Sequence, residues 1–299
     1  MAQAARRNNG RNQRKTAPGQ GPGKARDKRV EPAGPWASLT LAVLLAVLVL
    51  RLAVIALEPF PVHFDEAQYW AYGQELDWGY YSKPPLLAWL VRAVTQIGGD
   101  TLFALRLVSP IAHAAIAGLI FLTGRRLWDG QSGFWAAAGY TAAPGVGLSA
   151  MIMSTDPVMM LFWAAALYAM VRAAEGEGRV WWGVLGALIG AGMLAKYTML
   201  AFALGALGYG LFVARERNWA GAAIAAAAAL LVLSPNIVWN AANSFATVAH
   251  VIGDADPGRG YFHIANLAEF VGAQFAVIGP VFLVAIFLAL RNRNAWRDD

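Results

Sequence analysis

Long apolar stretches separated by short polar segments run along this sequence from residue 37 onward. Most of these stretches approach the roughly 20 apolar residues that an α-helix needs to cross a bilayer. The pattern therefore predicts an all-α polytopic membrane protein. About eight transmembrane helices are predicted, at residues 37–57, 102–122, 134–153, 157–173, 180–195, 198–214, 219–235 and 268–290.

Three of the predicted spans depart from a regular transmembrane helix. The fifth and sixth are short, which predicts a re-entrant or tilted hairpin around Lys196. The third contains Pro144 among Gly139, Gly145 and Gly147. We expect this proline to kink the helix, because it removes a backbone hydrogen bond.

The composition supports a membrane protein and divides the chain in two. Hydrophobic residues make up 58% of the sequence and charged residues 14%, and the absence of cysteine excludes disulfides and thiolate metal sites. Residues 1–35 carry nine Lys or Arg against two acids and are rich in Gly, Pro, Asn and Gln. We predict a disordered basic cytoplasmic tail rather than a nucleic-acid-binding segment. Residues 36–299 are predicted to form one transmembrane domain.

The distribution of Lys and Arg predicts how the chain is oriented. With the N-terminus inside, nine cations of the tail and nine that follow the even-numbered spans lie inside, against five outside or at the outer boundary. The positive-inside rule favours this orientation. The abundance of Ala, Gly and Arg indicates a bacterial source. We therefore expect a multi-pass protein of the bacterial plasma (inner) membrane, with a cytoplasmic N-terminus and a periplasmic or extracellular active face.

The first outer loop, residues 58–101, concentrates ionisable groups at the edge of the membrane. It holds the adjacent carboxylates Asp65 and Glu66 and one lysine, Lys83. Such groups are costly to desolvate, so a cluster of them indicates a functional site. We predict two short amphipathic interfacial helices, one with Asp65 as its N-cap and one with two prolines in its first turn. Lys83 then lies at a helix N-terminus, where backbone N–H groups favour a phosphate.

Two further charged residues lie at the ends of predicted spans. Asp156 opens the fourth span, directly before a proline. Lys196 lies between two apolar stretches without a sequence neighbour of opposite charge, and we expect a phosphate headgroup to supply its anion. Three of the candidate residues in this and the preceding paragraph also have a simpler interpretation. Asp65 and Asp156 could only cap helices, and Lys83 could only extend its ammonium to the membrane surface.

Five short motifs along the chain carry a family resemblance. They are DEAQYW after the first span, GYYSKPPLLAWL, STDPVMMLFWAAALYAM, GMLAKYTML and SPNIVWNAANSFATVAHV. In this order, over roughly residues 40–290, the chain resembles the polytopic glycosyltransferases with the C fold. The likeness is to the bacterial branch related to protein O-mannosyltransferases and lipid A aminoarabinose transferase, glycosyltransferase families 39 and 83.

The resemblance implies transfer of a hexose or pentose from a polyprenyl-phosphate donor to a lipid, protein or polysaccharide acceptor on the outer face, without a nucleotide cofactor. Asp65 matches the family's catalytic acidic residue, and as a general base on the acceptor it implies inversion at the anomeric carbon. Glu66 matches its companion and Asp156 a second acidic position. Lys83 matches the lysine that holds the lipid phosphate.

Further ligands are predicted around the donor. Lys196 and Tyr81 are candidate phosphate ligands beside the matched lysine. His250 aligns with a histidine that, together with a glutamate, holds a divalent metal ion in the aminoarabinose enzyme. Ser82 replaces that glutamate here, so Glu66 is the remaining candidate for the second metal ligand.

Two other interpretations remain open from the sequence. A transporter or flippase of lipids or solutes would also place charges among apolar helices, although such proteins tend to show internal repeats and charges near the middle of the bilayer. An inactive, truncated paralogue is the second. The chain ends in RNRNAWRDD soon after its last predicted span, and we expect it to be part of something longer.

Overall fold

The computed structural model describes residues 34–57, 61–213, 217–254 and 264–291, and within these ranges the chain is helical without strands. The predicted basic tail, except for its last two residues, lies outside the described residues. The helices are α1 (Gly34–Leu57), α2 (Phe64–Gln74), α3 (Leu86–Gly98), α4 (Leu102–Arg106), α5 (Val108–Leu127), α6 (Gly130–Ala142), α7 (Pro144–Ser149), α8 (Thr155–Ala174), α9 (Arg179–Ala195), α10 (Leu200–Phe212), α11 (Trp219–Ala242), α12 (Ala246–Asp254), α13 (Ile264–Ile278) and α14 (Pro280–Arg291).

Among the described residues, four helical segments are long and apolar enough to cross a membrane. They are α1, the run from α4 through α5, α8 and α11. A fifth is added if α13 and α14 count as one span, although the two are bent by 95° at Gly279. The predicted count of about eight spans is therefore not confirmed. Gly279 has a φ of +82°, a backbone conformation that favours glycine.

The predicted third span is broken at the proline. α6 ends at Ala142, Ala143 is extended, and α7 begins at Pro144. The break follows from the chemistry of proline, which lacks an N–H and disfavours a helical conformation in the residue before it. The predicted seventh span behaves differently, because α11 continues through Pro235 to Ala242.

The short fifth and sixth spans form a hairpin with Lys196 in its connection. α9 has 17 residues and α10 has 13, and a 3₁₀ turn at Tyr197–Met199 lies between them. The start of α9 and the end of α10 line the same cavity, so the two helices run in opposite directions. At 1.5 Å per residue, α10 is about 20 Å long, which is shorter than the hydrocarbon core of a bilayer.

Small residues bring the long helices close together. α9 packs against α8 and α11, while α5 packs against α6 and α8. At the interface of α9 with α11, a methyl group on Gly186 would lie 2.0 Å from the carbonyl oxygen of Ala225. Close backbone approach at small residues is a main source of helix packing within membranes.

The two short helices of the first outer loop are present, but their apolar sides face the protein. Tyr69 of α2 and Leu87 and Val91 of α3 form a buried cluster with Leu105 of α4 and Met153. The interfacial setting predicted for these helices is not confirmed. Neighbouring helices cover their apolar residues instead, and this packing fixes the loop against the start of α8.

Candidate active site at one end of the bundle

The N-cap of α2 is His63, so the prediction that Asp65 caps this helix is wrong. The His63 Nδ1 accepts a hydrogen bond from the backbone N–H of Asp65 at 3.4 Å, and the Glu66 carboxylate accepts one from the backbone N–H of His63 at 3.0 Å. A capping box of this kind satisfies the helix terminus without the Asp65 side chain. The Asp65 carboxylate, about one third exposed, therefore remains available at the protein surface.

Glu66 forms a buried ion pair with Arg106. The Arg106 Nε and Nη2 donate to the two carboxylate oxygens at 2.9 and 2.8 Å, and the backbone N–H of Met153 donates at 2.9 Å. The side chains of Glu66 and Arg106 are 0% and 4% exposed. Burial alone would raise the pKa of Glu66, but these hydrogen bonds outweigh it and hold the pKa below its ordinary value. With no exposed surface, Glu66 joins α2 to α4 and to the segment before α8.

Two carboxylates that are distant in sequence both influence the hydroxyl of Tyr69. This tyrosine is 3% exposed, and its pKa is raised first by burial and then by the negative charges of Asp65 and Asp156. A hydrogen bond with the Thr155 side chain acts in the opposite direction. The backbone N–H of Met153, three residues before Asp156, donates to the carboxylate of Glu66, which follows Asp65, so the start of α2 lies against the start of α8.

Asp156 and Lys196 form an ion pair at this site. The Lys196 Nζ donates to the Asp156 Oδ1 at 2.6 Å, and the two side chains are 36% and 50% exposed. Asp156 is not the cap of α8, since Ser154 occupies that position. The expectation that a phosphate headgroup supplies the anion for Lys196 also needs correction, because a carboxylate of the protein already does so.

Lys83 lies on the loop between α2 and α3, which a hydrogen bond to Tyr72 holds beside α2. It is half-buried, and among the described residues its ammonium has no hydrogen bond or ion pair. Its neighbour Ser82 shares a hydrogen bond of 3.1 Å with Tyr72, one turn beyond Tyr69 on α2. α3 begins at Leu86 with Pro85 as its N-cap, so Lys83 lies two residues before the N-cap and not at the helix N-terminus as predicted.

Three hydrogen bonds from side chains of α11 and α12 hold the loop that carries Lys83. Asn236 Nδ2 donates to the carbonyl of Trp78 at 2.6 Å, Trp239 Nε1 donates to the Asp77 carboxylate at 2.6 Å, and a threonine of α12 adds a third bond. Sequence reasoning missed these fastening residues. The signal was present, since asparagines within an otherwise apolar helix require partners.

Close contact with Trp239 also explains a glycine in this loop. A side chain on Gly79 would place its first carbon 2.4 Å from the indole ring of Trp239. Tyr197, next to Lys196, donates to the Asn236 carboxamide oxygen at 2.7 Å. The two lysine-bearing segments are thus connected through one buried asparagine.

Among the described residues, Glu66 and His250 do not form the metal centre that the resemblance implies. The carboxylate oxygens of Glu66 are occupied by Arg106 and backbone N–H groups. The ring of His250 packs against Tyr81, with 5.1 Å between ring centroids. Over the described ranges, no three His, Cys, Asp or Glu side chains are grouped as a metal ion requires. Tyr81 itself is 65% exposed.

A protein-family model covers more than half of the chain. Residues 82–239 match the family described as dolichyl-phosphate-mannose-protein mannosyltransferase. The matched range contains Lys83, Asp156, Lys196 and the asparagine that connects the two lysine-bearing segments.

Curated bacterial relatives cover most of the chain. Lipid A galacturonosyltransferase RgtD of Rhizobium johnstonii is 33% identical over 261 residues, which is 87% of this chain and 55% of the relative. An undecaprenyl phosphate-alpha-4-amino-4-deoxy-L-arabinose arabinosyl transferase of Pseudomonas aeruginosa is 29% identical over 201 residues, or 64% of this chain and 35% of the relative. The chain therefore spans about half the length of the first of these proteins and a third of the second.

Solved structures share the fold. ArnT from Cupriavidus metallidurans in the apo state superposes with a TM-score of 0.56 and 18% identity, covering 71% of this chain and 43% of that one. The same protein bound to undecaprenyl phosphate gives a TM-score of 0.52 and 21% identity, over 70% of this chain and 42% of that one. At this identity the likeness concerns the fold alone.

Proposed function

The chain belongs to the dolichyl-phosphate-mannose-protein mannosyltransferase family, and from this premise we propose that it transfers a sugar from a polyprenyl-phosphate donor to an acceptor at one face of a bacterial membrane. The names of its relatives support the proposal, since these are transferases acting on lipid A or using an undecaprenyl-phosphate-linked sugar. The observation that carries it is the position of Asp65 near the Asp156–Lys196 ion pair, because a hydrogen bond from Met153 to Glu66 holds the start of α2 against the start of α8.

We assign the general base to Asp65. Its carboxylate is partly shielded yet open to a substrate, as proton transfer requires. Asp65 takes the proton of the acceptor hydroxyl while the acceptor oxygen bonds to the anomeric carbon of the donor. The bond from that carbon to the phosphate oxygen breaks, and its electron pair leaves with the phosphate. Attack opposite the leaving group inverts the anomeric configuration.

We assign the departing phosphate to Lys83. Its ammonium has no ion pair among the described residues and is held by a fastened loop, so it can neutralise the charge that develops on the leaving group. Lys196 is bound to Asp156, which makes it a second cation whose position is set in advance. Tyr81 is exposed at the protein surface, where it can contact the donor.

The site is proposed to face the periplasm. The supporting observation is the charge at the other end of the bundle, where the described cations Arg125, Arg126, Arg172, Arg179 and Arg217 lie. By the positive-inside rule that end is cytoplasmic. The acceptor is then an envelope component that presents a nucleophile on the outer face, and lipid acceptors are favoured by the names of the relatives.

The base assignment is tested in the full-length protein with Asp65→Asn. The matched control is Asp100→Asn in the same outer loop, where the carboxylate accepts a hydrogen bond from Trp70 Nε1 at 2.8 Å. Transfer of labelled sugar from a polyprenyl-phosphate donor should fall by about 10²–10⁴-fold in the first variant, the usual contribution of a general base. The control should stay near wild type. Turnover of Asp65→Asn within threefold of wild type would refute the assignment.

The same reconstituted system separates transfer from transport. A covalent product on the acceptor supports the transferase, whereas movement of the intact labelled donor across the bilayer without a product supports a flippase. Lys83→Ala should raise the KM for the lipid-linked donor. An unchanged KM for the donor would remove Lys83 from the phosphate site.

A further inference from the structure

A cavity lies at the opposite end of the bundle, far from the proposed transfer site. It has a volume of about 650 Å³ and is enclosed by the ends of α8 and α10 and the starts of α9 and α11. From Asp156 to Ala174 the helix α8 rises about 27 Å at 1.5 Å per residue. The cavity is therefore separated from the transfer site by almost the thickness of the hydrocarbon core, and it serves no step proposed above.

The walls of this cavity suit a molecule with an apolar part. Trp182, Tyr209 and Trp219 supply aromatic surface, and Leu207 and Leu211 supply aliphatic surface. Aromatic side chains of this kind are typical of the level of lipid headgroups. The volume falls within the range of about 300–1,000 Å³ that is usual for small-molecule sites.

One wall of the cavity is fixed in advance by a glycine. A side chain on Gly221 would place its first carbon 2.4 Å from the indole ring of Trp182. Trp182 thus packs directly on the backbone of α11. A preformed aromatic wall lowers the cost of ordering side chains when a ligand binds.

The polar part of the lining is cationic. Arg217 lies at the wall and donates through Nη2 to the carbonyl of Leu211 at 3.3 Å, and its remaining N–H groups have no partner among the described residues. The nearby acids Glu175 and Glu177 are already bound by other arginines. Arg179, in the first turn of α9, lies at the same end of the bundle but does not line the cavity.

We propose that this cavity binds an anionic phospholipid of the leaflet opposite the transfer site. Arg217 binds the phosphate of the headgroup, and the aliphatic and aromatic walls take the upper part of an acyl chain. A soluble phosphate compound would use the arginine but leave the apolar wall bare. This juxtaposition of one cation with an apolar wall favours a lipid over a water-soluble anion.

Native mass spectrometry of the full-length protein in detergent tests the proposal. The protein is incubated with phosphatidylglycerol or with phosphatidylcholine, and retained lipid is counted for wild type, Arg217→Ala and Arg125→Ala. Arg125, in the last turn of α5 at the same end, does not line the cavity and serves as the matched control. We expect wild type to retain phosphatidylglycerol at least fivefold better than phosphatidylcholine. Arg217→Ala should weaken that retention at least tenfold, and Arg125→Ala should match wild type.

Two further measurements keep the test sharp. Ala206→Phe narrows the cavity without removing charge and should also reduce retention, provided that its melting temperature stays within a few degrees of wild type. Soluble glycerol phosphate should not compete. Equal retention of the two lipids, an Arg217→Ala variant equal to Arg125→Ala, or full competition by glycerol phosphate would each overturn the proposal. Sugar transfer is measured separately, so its failure would leave this result unaffected.

Discussion

At the end of the bundle that holds the candidate active site, the Glu66 carboxylate has no exposed surface and is bound by Arg106, whereas at the other end the side chains of Glu175 and Glu177 are about 30% exposed. Both ends thus hold ion pairs that join helices distant in sequence. Arg126 binds both of the exposed glutamates, which connects the end of α5 to the end of α8. The two ends differ in how far each pair is removed from water.

This difference indicates which ion pairs contribute most to the stability of the fold. A buried charge that loses its partner keeps its full desolvation cost, while an exposed charge returns to water. Glu66 follows Asp65 directly in α2, so the buried pair also positions the proposed base. The exposed network lies at the end that carries no proposed chemistry. Stability and activity should therefore be sensitive to charge at one end and tolerant at the other.

The largest effect is expected for Glu66→Gln. This change leaves the Arg106 guanidinium buried without its carboxylate, which should lower the free energy of unfolding by about 3–5 kcal/mol. Chemical unfolding in detergent, followed by circular dichroism, measures the loss. Glu66→Gln combined with Arg106→Met should recover part of it, because the buried charge is then removed. A Glu66→Gln variant as stable as wild type would show that the pair is not important for the fold.

Thr247→Val should have the next largest effect. The Thr247 hydroxyl donates to the carbonyl of Tyr80 at 2.5 Å, and a buried carbonyl left without a donor costs about 1–3 kcal/mol. The loop with Lys83 would loosen, so the KM for the lipid-linked donor should rise more than kcat falls. Thr247→Ser keeps the hydroxyl and should restore both values. An equal KM for the donor in the valine and serine variants would show that this hydrogen bond does not affect donor binding.

Acidification should weaken the ion pair of Glu66 with Arg106, with a smaller effect on stability than Glu66→Gln. The pKa of Glu66 is held below its ordinary value of 4.5, so its contribution to stability is complete above that value and is lost as the pH falls through the lowered pKa. The melting temperature of wild type should therefore drop on acidification below about pH 4.5. Glu66→Gln should show a smaller drop over the same range. Parallel curves for the two proteins would contradict this origin of acid sensitivity.

The smallest effect is expected at the exposed network. Glu177 binds both Arg126 and Arg172, yet its side chain is 32% exposed. Glu177→Gln should change the free energy of unfolding by no more than about 1 kcal/mol, as is usual for surface pairs. Added salt should reduce the difference further. A loss comparable to that of Glu66→Gln would remove the contrast between the two ends.

Several features of the fold were predictable from local chemistry alone. The long apolar runs became α1, α8 and α11, and the break before Pro144 followed from the missing N–H of proline. Two short helices in the first outer loop were also predicted. Their packing was not, because the apolar side of an amphipathic helix suits a membrane surface and a protein core equally well. The predicted count of about eight spans was not confirmed, because α6, α9 and α10 are shorter than a regular transmembrane helix.

The sequence by itself determined the class of the fold, the membrane setting and the residue types at the candidate site, because periodicity and apolar length are properties of neighbouring residues. Only the tertiary structure decided the partners. Asp156 binds Lys196, 40 residues away, and Glu66 binds Arg106, also 40 residues away. Such pairs depend on which helices pack together, and electrostatic attraction acts through space without leaving a mark on local pattern. For that reason Glu66 changed from a candidate catalyst to a structural support, while Asp65 remained open at the surface.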